Sequence, residues 1–547
     1  MSHASLSSNS SPSVTRRTLL ACSASVGAAV ASGFSARGAR ADEAGAPSDV
    51  DTPSFMNPPA AIAEDELSET IEADVLVVGA GIAGMCAARA AAEEGARVVV
   101  VEKAAHPMCR GNFGCQIGAI DSSYQRSHGL MVDKRALVER FQRDTLQMSN
   151  QYFIQYWAEH SGETVDWCLQ ACPDVVEMDL GARDMLGELA DGQVGIFGYA
   201  DQEGYNPAAE RYPAFNTKLV IGSNNTELNE GGFSLMLGYF QQIVESLGGR
   251  FLFNTFGRYL EKDGDTVTGL VAQGQDGAHM RIKAKSTVLA CGDFASNAEM
   301  LAHYAPQAAG LLCLFNGTDC EGNPCNTGDG HKMALWAGAH MEDGPYAPMA
   351  HLSTVNDVLL VNRRGERVCN EDLGAQSITD VVLRQPGKQV FVVSGASRGS
   401  VVLDPGPFGK PCEEPFDDFE TMAAAIGEHC DPAVLQATVE RYNELCAEGE
   451  DTEYGKDPRY LTPLDAPYYV TPSGPGSLLV IMGGIACDND CRALDADDVA
   501  IPGLFVVGNT QGGRFGAEYP MTAPGISHGI AATLGRYVGK RAVELAK

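Results

Sequence analysis

The stretch Ala73-Asp74-Val75-Leu76-Val77-Val78-Gly79-Ala80-Gly81-Ile82-Ala83-Gly84 decides how this chain is built. Its apolar first half predicts a short buried strand, and three glycines spaced G-x-G-x-x-G follow at once. An Ala-rich stretch through Glu94 predicts a helix, and Arg97–Val101 predicts a second strand ending at Glu102. In such a unit the glycines serve a tight turn (Gly79), close approach of a pyrophosphate to the backbone (Gly81, with Ala83 beside it) and helix–strand packing (Gly84). The helix N-terminus faces the phosphates, and Glu102, eighteen residues past Gly84, is placed for a ribose hydroxyl. A carboxylate there favours FAD or NAD over NADP. The glycine spacing alone is weak; strand, turn, helix, strand and acid in that order is strong.

The next segment, Lys103–Ile120 (KAAHPMCRGNFGCQIGAI), is a glycine-punctuated loop where an NAD domain usually begins its next helix, so the expected cofactor is FAD. Here the chain resembles the flavoprotein family of soluble fumarate reductases, urocanate reductases and 3-ketosteroid dehydrogenases. The family's Gly-Gly-Asn-Ser/Thr loop corresponds to Arg110-Gly111-Asn112-Phe113, with Gly118 at the later glycine. TVLACGDFASNAEM (Thr287–Met300) resembles its strand and turn ending in Ala-Thr-Gly-Gly-Phe. NTGDGHKMA (Asn326–Ala334) resembles its Thr-Gly-Asp-Gly loop, whose acid, here Asp329, lies near the flavin in the family. LLVNRRGERVCNED (Leu359–Asp372) resembles its Val-Asn-x-x-Gly-x-Arg-Phe-x-Asn-Glu segment. PGLFVVGNTQGGRFGAEYP (Pro502–Pro520) resembles the return strand and flavin loop, bringing Gly508 and Asn509 to the cofactor. Gly525 and Ile526 resemble the segment that contacts the flavin ring.

The resemblance spans about residues 70 to 547 and implies an α/β fold. A Rossmann-like FAD-binding domain with a parallel sheet is expected over residues 70–344 and 480–547, interrupted by an α+β capping domain over 345–479. Lys103 follows the ribose acid and counts with the cofactor-binding set. FAD is expected to bind non-covalently, because no histidine stands near Asn112 where membrane-bound relatives carry one.

The family's substrate groups are rewritten in this chain. In the fumarate reductases an Arg four residues beyond the Glu of Asn-Glu donates a proton; after Asn370-Glu371 that place is Ala375. The Arg that clamps a substrate carboxylate is replaced by Tyr519, and a carboxylate-binding His by Val480. The Thr-Glu-x-x-Arg proton relay is missing, since His351 and Leu360 stand too close together to hold it. A dicarboxylate needs fixed cations for charge and geometry, so fumarate is not the expected substrate. Glu518-Tyr519-Pro520 resembles the Tyr-Pro stretch of 3-ketosteroid dehydrogenases, whose substrates are neutral carbonyl compounds. Tyr519 is therefore the first catalytic candidate, as hydrogen-bond or proton donor to a carbonyl oxygen, against the alternative that it fills space left by an Arg. His351 is the second, as a substrate or proton-shuttle group. Arg514 and Tyr212 could reach the substrate but read first as structural, and His331, at a variable position of the Asn-Thr-Gly-Asp-Gly segment, reads as not catalytic.

The expectation is an FAD-dependent oxidoreductase acting on an activated C=C bond of an enone, acrylate or steroid-like molecule. A ketosteroid-type dehydrogenase running oxidatively and a catalytically silent flavin-binding or electron-relay protein stay open.

Thirty-nine basic against 71 acidic residues give a net charge of −32, which disfavours nucleic acid and anionic membrane surfaces. Arg16-Arg17, an Ala/Ser/Gly-rich apolar run and Ala39-Arg40-Ala41 read as a twin-arginine export signal over residues 1–41. Its loss removes four Arg and takes the charge from −32 to −36. Residues 42–70 are acidic and Pro-rich and read as a flexible linker. No later stretch is apolar enough for a membrane span, and no haem-attachment motif is present. An exported reductase then needs an outside electron donor, such as a membrane-anchored c-type cytochrome. No metal site is expected; Cys487 with Cys491 and Cys320 with Cys325 are disulfide candidates.

Overall fold

The computed structural model describes residues 52–108, 116–190, 192–199, 215–223, 233–311, 313, 317–351, 356–373, 375–401, 414–474 and 477–546. The proposed export signal, Asn112, Phe113 and Tyr212 lie outside them.

Val98–Val101, four consecutive buried valines, shows why the central sheet is parallel: a strand covered on both faces reads as an unbroken apolar run. It pairs in parallel with the first strand, Leu67–Val78, in the register Val75↔Val98 and Val78↔Val101. On its other side that first strand pairs in parallel with His279–Leu289, which in turn pairs in parallel with Ala500–Val506. Arg250–Leu252 adds a parallel strand beside Val98–Val101. Antiparallel additions come from Arg492–Leu494 at one edge and from the Thr255–Asp263 and Thr266–Gly274 hairpin.

The helix after the first turn, Ile82–Glu93, is buried along nearly its whole length. It packs against the last helix, Ile526–Ala546, more than 400 residues away in sequence. Glycine makes that contact possible. A Cβ at Gly535 would stand 2.4 Å from the Ala83 carbonyl oxygen, and one at Gly539 would stand 2.3 Å from that of Ala87. The chain end thus returns to the glycine turn where the fold begins.

A second layer lies within residues 347–482. Leu359–Val361, Val390–Ser394 and Tyr469–Ser473 form an antiparallel three-stranded sheet. One face packs Leu359, Val361, Phe391 and Val393 against the helices Phe419–Ile426 and Pro432–Glu448. The other packs Leu360, Val390 and Val392 against Ile378 and Val382 of the helix Ala375–Leu383. Two strands, Ala347–His351 and Ser477–Met482, pair antiparallel where the chain enters and leaves this layer. A charged knot sits inside it: Arg367 Nη2 lies 2.8 Å from both Glu371 Oε2 and Asp451 Oδ2. Lys456 Nζ closes the knot on Glu371 at 3.3 Å.

The span expected as a flexible linker is docked from Pro53 onward. Phe55 is buried against His303 and Tyr304, and its carbonyl accepts the Trp336 indole N–H at 2.9 Å. Ser54 binds Glu299, and Glu64 pairs with Arg281 at 2.7 Å. One aromatic ring among acidic and Pro residues is enough to anchor the segment, and the first strand starts at Leu67 rather than Ala73. No described helix is long and apolar enough to cross a membrane.

Candidate active site

A cavity of about 560 Å³ runs from the first glycine turn to Tyr519. Gly79, Gly81, Ala83, Glu102, Lys103, Asp329, Gly508, Asn509, Gly525 and Tyr519 all line it, brought together from five separate stretches of chain. Gly79 adopts φ +104°, and a Cβ there would sit 2.4 Å from the Ala290 carbonyl oxygen. The strand His279–Leu289 ends just before that carbonyl, so the cavity floor is a crossing of two strand ends. This is the crevice at the carboxyl ends of parallel strands where α/β sheets take ligands.

Glu102 is pinned at the floor. Its Oε2 accepts the Ala80 N–H at 2.7 Å and its Oε1 accepts the Ala104 N–H at 2.8 Å. Both oxygens keep a lone pair for a ribose hydroxyl. Lys103 Nζ pairs with Asp329 Oδ2 at 2.7 Å, and Lys332 Nζ meets Asp329 Oδ1 at 2.8 Å. Burial alone would raise the Asp329 carboxyl, but the two lysines outweigh it and hold the group well below the usual range.

Three residues expected in the cofactor set stand behind the wall. A Cβ at Gly84 would meet the Gly79 carbonyl oxygen at 2.0 Å, so Gly84 serves turn and helix packing. Gly118 donates its N–H to the Gly525 carbonyl at 2.7 Å, and a Cβ on it would stand 2.7 Å from the Ile526 nitrogen. Gly118 and Ile526 therefore fix the strand–helix contact that presents Gly525 to the cavity. His351 ends the strand Ala347–His351 opposite Ser477, and its side chain is not among those described. Ala375 opens the helix Ala375–Leu383.

Tyr519 is 6% exposed and stacks on Phe515, with centroids 5.0 Å apart and planes 22° apart. Burial pushes its phenol up to about 12, opposed by Arg514 and by hydrogen bonds to Ser527. Val480, Leu479, Met349 and Met521 share its hydrophobic cluster and also line the cavity. This apolar wall was not read from sequence beyond Val480, because it needs the antiparallel pairing Met349↔Val480, which joins segments about 130 residues apart. His528, in the first turn of the last helix, also lines the cavity and binds the Gln116 carbonyl oxygen through Nδ1 at 2.7 Å.

His331 is structural: it is fully buried, its Nε2 lies 3.1 Å from the Gly483 carbonyl oxygen, and burial lowers it to about 4. The disulfide candidates are not bonded: Cys320, Cys325, Cys487 and Cys491 are all thiols. Among the described residues no cluster of three or more His, Cys, Asp or Glu is arranged to hold a metal.

The residues present fit FAD. Main-chain crowding at Gly79 leaves room for a diphosphate only without a side chain, Glu102 is set for the adenosine ribose, and the cavity continues past them to a mainly apolar end. The fold and the cavity together define a Rossmann-like flavoprotein with a second layer carried on an insertion. The family described as FAD binding domain matches residues 74–526, and the chain belongs to it. It is an FAD-dependent oxidoreductase. The chain is 26% identical over 494 residues to a fumarate reductase (cytochrome) of Shewanella frigidimarina, covering 87% of this chain and 77% of that one. It is 28% identical over 485 residues to a urocanate reductase of Eggerthella lenta, covering 82% and 71%. The structure of a 3-ketosteroid-delta4-(5alpha)-dehydrogenase from Rhodococcus jostii RHA1 shares the fold, with a TM-score of 0.69, 24% identity, and coverage of 89% and 99%.

Proposed function

We propose that the protein reduces, or in the reverse direction forms, a C=C bond conjugated to a carbonyl group in a neutral or mono-anionic enone, acrylate or steroid-like substrate. The observation that carries this reading is the Tyr519 end of the cavity. A buried phenol stands there among Met349, Leu479, Val480 and Met521. The lysine that lines the cavity, Lys103, is already paired with Asp329. A dicarboxylate finds no clamp in such a wall, whereas a carbonyl oxygen finds a donor.

FAD would be held along Gly79, Glu102 and Asn509, and in its reduced form would supply hydride chemistry for the β-carbon. Tyr519 holds the carbonyl oxygen through Oη as negative charge develops there, and its Oη proton is available to complete the reduction. The apolar wall keeps water from the reacting carbons and strengthens the Tyr519 hydrogen bond. His351 is the second proton-handling candidate. Residues 345–479 act as the cap over the substrate. The electrons come from a separate protein, such as a membrane-anchored c-type cytochrome, and the twin-arginine segment sends the folded protein out of the cytoplasm.

The test is anaerobic. Purified protein is reduced by a viologen dye and mixed with 2-cyclohexen-1-one, 4-androstene-3,17-dione, cinnamate or fumarate while the flavin absorbance is followed. Reoxidation by an enone or acrylate, and loss of that reoxidation in Tyr519→Phe, is expected. Reoxidation by fumarate alone would refute the substrate reading, and reoxidation by none of them would make the protein a silent flavoprotein.

A further inference from the structure

Behind Tyr519 the structure buries a charge that the reading above does not use. Arg514 is 2% exposed, and its guanidinium lies 5.4 Å from the centroid of Phe515, the ring on which Tyr519 stacks. Its Nη2 donates to Asn509 Oδ1 at 2.7 Å and its Nε donates to the Gln511 carbonyl at 3.3 Å. Nη1 is buried without a hydrogen-bond partner. Among the described residues no carboxylate forms an ion pair with Arg514. A buried guanidinium is normally paired, since an unpaired charge in the interior is costly.

The nearby groups explain why the charge is kept. Glu342 is the foremost facing anion, and it is occupied elsewhere: Oε2 accepts the Gly513 N–H at 2.6 Å and Oε1 the Gly484 N–H at 3.0 Å. The other titratable groups that act on Arg514 are Tyr519, Asp293 and Cys487. His331 feels Arg514 but is held neutral by burial. Glu342 itself faces Asp343 and Arg514, and burial pushes it up to about 7. Arg514 stays charged at neutral pH even though burial pulls it down to about 10.

We propose that Arg514 is a positioning residue for proton chemistry at Tyr519: its buried, incompletely paired guanidinium stabilises negative charge on Tyr519 Oη, and Glu342 sets how much of that charge is available. When Glu342 is protonated, Arg514 acts on Tyr519 in full. When Glu342 ionises, it draws on the same cation and the phenol becomes a weaker acid. Arg514 also fixes the amide of Asn509, so the same side chain connects a cofactor-lining residue to the ring on which Tyr519 stacks. The inference rests on the reading of Tyr519 as the proton-handling group.

The test uses the flavin-loaded protein with 3,5-difluorotyrosine in place of Tyr519, a stronger acid than tyrosine whose ionisation is followed by fluorine NMR. Arg514→Met should raise the titration midpoint by about one pH unit or more, the scale on which a nearby opposite charge acts. Arg514→Lys should raise it less, and Glu342→Gln should lower it. A midpoint unmoved in both Arg514→Met and Glu342→Gln overturns the proposal. If Arg514→Met does not fold, an unmoved midpoint in Glu342→Gln overturns it alone. The underlying reading fails separately, by retained enone reoxidation in Tyr519→Phe.

Discussion

At Gly81 the protein and its cofactor make different demands on one residue, and that difference gives a clean test. A Cβ there would meet nothing closer than the Met108 carbonyl oxygen at 3.6 Å, an ordinary contact. At Gly79 the same change would strike the Ala290 carbonyl and force a side chain into φ +104°. Gly81→Val should therefore fold with an unchanged circular dichroism spectrum yet purify colourless, because the branched side chain enters the space of the diphosphate. Full yellow colour in that variant would count against the glycine turn as the cofactor site. A second expectation at this scale concerns fumarate. With Tyr519 and Val480 in the cavity wall, and Ala375 where the family resemblance would place the fumarate reductases' proton-donating Arg, turnover should be near background. Each missing charge-assisted contact is worth about 1.5–3 kcal/mol, and the losses fall on one small substrate. Fumarate turnover at tens per second, measured with reduced viologen, would show another clamp. Gly81 and Tyr519 were legible beforehand because each sits in a motif with fixed spacing. Arg514 was legible only as a residue, not as a buried charge, since its burial depends on Glu342 and Met482 arriving from distant parts of the chain.

Among the elements, the Arg367–Glu371–Asp451–Lys456 knot joins the loop after Leu359–Val361 to the segment that follows the helix Pro432–Glu448. Glu371 and Asp451 have fully buried side chains, so removing their common cation leaves carboxylates without enough positive charge. Arg367→Met should cost about 3–5 kcal/mol, read as a fall in the thermal midpoint, and a shift within error would show the knot to be dispensable. The same knot fixes a pH dependence. Burial works upward on Asp451, but its bonds to Arg367 and to the Lys456 and Tyr454 amides outweigh burial and hold it to about 2. A carboxyl lowered in the folded state adds stability above its unfolded pKa and loses it as the pH falls towards about 2. Arg367→Met should thus unfold at a higher pH during acid titration than the parent. The strand–turn–helix–strand unit was readable from local periodicity and glycine spacing, and the loop after Ala500–Val506 from its resemblance to the family. The pairing of Ala347–His351 with Ser477–Met482 was not, because register between distant strands is set by tertiary burial. The docking of Phe55 escaped for a related reason: its pocket is made by His303, Tyr304 and Trp336, far along the chain.

For the whole molecule the governing quantity is charge: −32 as written, and −36 without the proposed export signal of residues 1–41. Most of that charge belongs to the surface, since the buried acids are few and several are paired. A field of this sign repels anionic partners over a Debye length and attracts a protein with a basic face. The proposed electron donor has to deliver reducing equivalents from outside the chain, and its encounter rate is the step on which long-range attraction acts. Raising the salt from about 10 mM to about 500 mM shortens the Debye length from roughly 30 Å to a few Å. Donor-driven turnover should therefore fall steeply over that range. Turnover with a small viologen dye should change far less, because a dye makes no extended docking contact. Activity with NADH should be poor under both conditions. The measurement is a paired salt titration with the native donor fraction and with the dye. Rapid, salt-independent reduction by NADH alone would show instead a self-sufficient dehydrogenase, and the acidic surface would then need another explanation than partner attraction.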